Sequence, residues 1–148
     1  MGIVAAALGT MMILVHGVAH AGQRVMLLPH WHWAYVVGVV FLAPVLAATL
    51  LGTRYGRAGA WLLVFSMAGS FVFDVAYHFL VPGPDNVFTL PSGAWTPAFR
   101  VSAVLVALAS GVGFLVGVRA LRELSPAVGG SAIDATVRPE PGVGRGPR

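Results

Sequence analysis

Read from its first residue, the chain alternates long apolar runs with short polar breaks. Four runs, at about 2–22, 33–52, 59–81 and 98–118, each come close to the roughly 20 residues that carry a helix across a bilayer. The breaks are rich in helix-stopping and interfacial residues. Arg24, Pro29, His30 and Trp31 lie in the first, with Trp33 and Tyr35 just beyond it; Trp and Tyr favour the membrane–water boundary. The second break, 52–57, is a tight turn carrying Arg54 and Arg57, too short to hold a domain. The third, 82–97, is the longest, and its prolines and glycines predict an ordered cap over one end of a bundle. Within the second run Pro44 lacks a backbone N–H and predicts a kink. The pattern predicts an all-α integral membrane protein, a four-transmembrane-helix bundle made of two hairpins, over 1–124. From 125 to 148 four prolines and five glycines predict a disordered cytoplasmic tail.

Composition sharpens that picture. Hydrophobic residues make up 57% and charged residues 9%, against roughly 25% charged in soluble domains. So few polar groups cannot coat a water-soluble globule. Every basic residue is Arg, and the arginines sit in loops, at helix ends and in the tail. The net charge of +4 therefore marks topology rather than a nucleic-acid partner. Cysteine is absent, which excludes disulfides, thiolate catalysis and thiolate metal sites. The first run also has the outline of a signal peptide, with Ala19-His20-Ala21 as a cleavage-like site. Its leading Met1-Gly2 lacks the usual basic residue, which favours a retained span.

Two polar ladders interrupt the apolar runs. His16 and His20 lie four apart in the first, Asp74 and His78 four apart in the third, and residues four apart share one helix face. Both spans run in the same direction. His20 and His78 thus fall about 3–5 Å below the bilayer edge, and His16 and Asp74 about 9–11 Å below. Arg100, at the start of the fourth span, enters at the height of His20 and His78. An ionisable residue in hydrocarbon is costly and faces protein, water or a partner.

Four N/O donors, His16, His20, Asp74 and His78, match the ligand set of a transition-metal site for zinc, copper or iron. On that expectation at least three of them converge on one point, and Arg100 pairs with Asp74 or Asp85. Other functions fit the same residues. The cluster can be an interhelical polar network in a non-catalytic structural or accessory subunit, with Asp74 neutralising Arg100. Two facing histidines can ligate haem b. Intramembrane Asp and His also occur in proton or small-solute transport, although the inner half offers no polar partner to complete a path. No nucleophile has an imidazole at its own level, and no phosphate loop or hydrolase motif is present, which argues against an enzyme. Small residues at Ala103, Ala107 and Gly111, and at Gly113 and Gly117, permit close helix packing. They serve the bundle itself or a contact with a second copy or another membrane protein. The ladders, each followed by Leu-Pro and Trp (Leu28, Pro29, Trp33; Leu90, Pro91, Trp95), suggest a duplicated hairpin.

Arginine placement orients the spans. Arg54, Arg57, Arg119 and Arg122 lie on one side, against Arg24 and Arg100 on the other, which predicts cytoplasmic N- and C-termini. A reporter fused after Arg122 should therefore read cytoplasm, and a tag within 82–97 should be labelled from outside intact cells. The reverse pattern would invert the orientation.

Overall fold

The computed structural model describes residues 2–25 and 30–124. Four helices organise them: α1, Gly2–Gln23; α2, His30–Leu51; α3, Gly56–Leu80; and α4, Thr96–Glu123. Among the described residues there is no strand, and all four helices are long and apolar enough to cross a membrane. Each begins or ends a few residues beyond the run seen in the sequence. Apolar character marks only the middle of a helix, and the ends continue through polar turns. On α4 an exposed Arg119–Glu123 pair, 2.7 Å apart at i,i+4 spacing, prolongs the helix past its apolar section. The predicted tail, 125–148, and Leu28-Pro29 of the suggested repeat lie outside the described residues.

The helices close into a ring. α1 packs on α2 and α4, and α3 also packs on α2 and α4, so α1 and α3 face each other across the diagonal. Close approaches rest on glycine. A Cβ on Gly59 would stand 2.8 Å from the Leu51 backbone N and 2.9 Å from the Ala47 carbonyl, so this glycine lets α3 press against α2. Gly117 does the same for α4 against Val64 of α3. Ala103, Ala107, Gly113 and Gly117 are all buried, so most of the small-residue face of α4 is covered within the chain. One core cluster, Ala6, Ala47, Leu63 and Met67, fills the end where α1 begins. A second, built on Ala19, Val25, Val87, Leu90, Phe99 and Ala103, fills the other. Large apolar side chains such as Leu8, Val18, Phe65, Val72, Leu108 and Leu115 point outward. That inverted surface is compatible with an integral membrane protein.

Three local features shape the upper end. α1 stops in a Schellman turn: Arg24 N–H donates to the Ala21 carbonyl and Val25 N–H to the His20 carbonyl. Arg24 takes φ 60°, a conformation usually left to glycine. Two stretches widen to π-helix, Val36–Leu42 in α2 and Ala76–Leu80 in α3. The first directly precedes Pro44, whose ring crowds the carbonyl four residues back, so the chain takes up a longer-range hydrogen-bond pattern there. The expected break at Pro44 thus takes the form of a widened helix. Finally, the α3–α4 loop is a pinned cap. Val87 N–H donates to the His78 carbonyl (2.9 Å), Asn86 Nδ2 to the Val81 carbonyl (3.1 Å), and Gln23 of α1 reaches across to the Pro91 carbonyl (2.8 Å).

Two glycines should respond oppositely to alanine. Gly59→Ala forces backbones apart and should cost about 1–3 kcal/mol despite its better helix propensity. A Cβ on Gly17 meets nothing within 4 Å, so Gly17→Ala should stabilise by about 0.5–1 kcal/mol. Thermal unfolding of the purified variants, side by side, checks both signs.

Candidate metal centre

The ladder on α1 meets the ladder on α3 across the bundle diagonal. Nε2 of His16 lies 3.0 Å from Nε2 of His78 and 3.0 Å from Nε2 of His20. One nitrogen from each of the three rings falls within 4.8 Å of the others, and the group could hold a metal ion. His16 and His78 are buried, and His20 is half-buried. His16 packs edge-on against both other rings, with centroids 4.5 and 4.6 Å apart. Phe99, fully buried on α4, forms an apolar floor touching all three.

The other nitrogen of each ring is tethered, and two of the three tethers assign a tautomer. Nδ1 of His20 lies 3.1 Å from the Val25 carbonyl, and Nδ1 of His78 lies 3.0 Å from the Asp85 carbonyl. A carbonyl only accepts, so both Nδ1 atoms carry the hydrogen. Nδ1 of His16 lies 2.9 Å from Ser102 Oγ, whose single hydrogen can reach either that nitrogen or the Phe99 carbonyl (3.0 Å). Turned toward the carbonyl, the hydroxyl accepts from His16 Nδ1–H; turned toward the ring, it donates and leaves the His16 hydrogen on Nε2. His20 and His78 thus present Nε2 lone pairs to the His16 Nε2 between them, 3.0 Å from each, where either a hydrogen on His16 Nε2 or a metal ion joins the rings. Outer hydrogen bonds of this kind fix ring orientation and raise ligand basicity at metal sites.

Asp74 belongs elsewhere. It is buried one turn down α3, and its Oδ2 accepts a 3.0 Å hydrogen bond from Ser110 of α4. The group able to hold a metal is His16, His20 and His78, without Asp74. Arg100 differs from expectation too. Phe99, Ser102 and Ala103 take the inward face of α4, and Arg100 projects outward, where its Nε donates to the Val87 carbonyl at 2.9 Å. Among the described residues it pairs with neither Asp74 nor Asp85. Its positive charge thus holds the cap.

Several participants escape sequence reasoning. Ser102 has no distinguishing neighbour in sequence, and Val25 and Asp85 contribute backbone oxygens that no side-chain pattern reveals. His32, on the first turn of α2, is buried with Nε2 2.8 Å from the Tyr77 hydroxyl. The Asp85 side chain is buried as well; its Oδ1 lies 3.7 Å from Nδ1 of His20 and has no hydrogen-bond partner among the described residues. Burial raises its carboxyl above the ordinary value, while the His20 and His32 rings act in the opposite direction. No protein-family model matches the chain, and neither does any curated protein or solved structure.

A raised carboxyl binds its proton more tightly in the folded chain than in the unfolded one. Asp85 therefore withdraws stability as pH climbs from about 3.8, the unfolded value, through the higher folded value. In chelator-treated protein, Asp85→Asn should raise the unfolding temperature near pH 7. The gain should fade as pH falls toward 3.8. A gain independent of pH would remove the carboxylate's charge as the cause.

Proposed function

We propose that the chain is an integral membrane protein whose outer half binds one transition-metal ion on Nε2 of His16, His20 and His78. Support for the membrane setting comes from four spanning-length apolar helices with outward-facing aliphatic side chains. The arginine distribution favours cytoplasmic termini. The observation that carries the metal is the convergence of one nitrogen from each of three rings within 4.8 Å, with His20 and His78 held so that Nδ1–H faces a carbonyl and Nε2 is free to ligate. Zinc–nitrogen bonds of about 2.0–2.1 Å set tetrahedral donors roughly 3.3–3.4 Å apart, so Nε2 pairs at 3.0 Å need only a slight outward adjustment.

Three imidazoles with a vacant fourth direction make an open type of site, in which the ion supplies a Lewis-acidic position. Zinc and copper suit such a donor set best, and an all-imidazole site also admits iron. Haem b fits less well. A macrocycle would have to slide between two axial rings, and here the third ring occupies that plane. A purely structural network remains the rival. It is favoured by the Asp74–Ser110 bond, which shows polar groups in this bundle joining helices directly.

Metal analysis of detergent-purified protein, with a visible spectrum, tests the proposal. One equivalent of metal without a Soret band is expected, and His78→Ala should abolish it while the protein stays folded. Asp74→Asn should keep the metal. Ser102→Ala, which removes one tether, should weaken affinity by about 10–100-fold. Metal-free protein that refuses added zinc and copper would leave the polar network as the function of the cluster.

A further inference from the structure

Beside the three rings lies a cavity of about 130 Å³, bounded by them on one wall. The opposite walls are apolar: Ile13 and Gly17 of α1, Val36 and Val40 of α2, and Phe73 of α3. Val36 and Val40 both fall in the π-helical stretch of α2, and His78 in that of α3, so the widened helix turns border this space. Two of its lining residues, Gly17 of α1 and Trp33 of α2, are exposed, which points to an opening between these helices. Gly17 is exposed there, with open space where a Cβ would stand, and Trp33 beside it is 39% exposed. In the orientation proposed above, that opening faces the hydrocarbon rather than water.

Size and charge restrict what can enter. An engineered apolar cavity of about 150 Å³ stays dry and accepts benzene, so a six-membered ring is near the upper limit here. Apart from the histidines, the charged groups on the wall are two carboxyls, Asp74 and Asp85, and no arginine lines it among the described residues. An anion would meet those carboxyls and apolar walls with no counter-charge except the metal. A second cation would meet the metal itself.

We infer that the vacant coordination direction takes a small uncharged molecule, apolar in body and carrying one lone-pair donor atom. It is delivered sideways from the membrane between α1 and α2. The inference rests on the metal site proposed above and adds the class of its exchangeable ligand.

The test uses full-length protein loaded with cobalt(II), whose visible spectrum reports its ligands, with loading measured first by metal analysis. Pyridine serves as the neutral ring-sized probe and azide as the anionic one. Pyridine should shift the cobalt bands saturably, and azide should need at least about tenfold higher concentration. Gly17→Leu and, from the facing wall, Val36→Phe should retain full cobalt loading yet weaken pyridine by about tenfold or more. Full loading with no pyridine response overturns the inference and leaves the metal site standing. So does pyridine binding unchanged in both variants, or azide binding more tightly than pyridine. A wild-type protein that takes up no cobalt overturns both.

Discussion

Hydrogen-bond satisfaction in a place without water governs the upper half of this bundle. An imidazole has two nitrogens, and an interior packed with Phe99, Ala103 and Val106 offers each of them few partners. A buried polar group left unpaired costs about 1–3 kcal/mol, so every available oxygen is drawn in. The end of α1 and the cap loop each supply a carbonyl that takes an Nδ1–H, and the first turns of α4 supply the Ser102 hydroxyl to Nδ1 of His16. Once those are spent, the Nε2 atoms have only each other. The convergence on the diagonal follows from where the backbone oxygens stand.

The same requirement explains why irregular backbone clusters at this end. The Schellman turn with Arg24 at positive φ turns the chain so that Val25 returns its carbonyl to His20. The π-helical turn at Ala76–Leu80 sets His78 in a register where its ring meets the Asp85 carbonyl and its own carbonyl receives Val87 N–H. The opposite end, built on Ala6, Ala47, Leu63 and Met67, has regular helices and glycine-mediated contacts. Regular packing suffices where there is nothing polar to satisfy.

Much of the architecture was legible because hydrocarbon thickness dictates run length, and run length is visible in a single sequence. The four helices, the ordered cap and the approach of His16, His20 and His78 all follow from apolar spacing and from i,i+4 geometry. Asp74 shows where that reasoning stops. Its spacing to His78 is right, but helix-face arguments place a residue on a side of the bundle without saying which neighbour waits there. Ser110 on α4 claims it first. Arg100 departs from expectation for a related reason: its angular position around α4 turns it away from both carboxylates. Backbone acceptors such as those of Val25 and Asp85 leave no mark in the sequence at all.

The division of the three tethers between main chain and side chain has an evolutionary consequence. Every residue type at positions 25 and 85 carries the same carbonyl, so substitutions there pass without turning His20 or His78, provided the turn and the cap persist. Only His16 depends on a side chain, the hydroxyl of Ser102. The orientation of three rings is thereby exposed to mutational drift at a single codon outside the histidines.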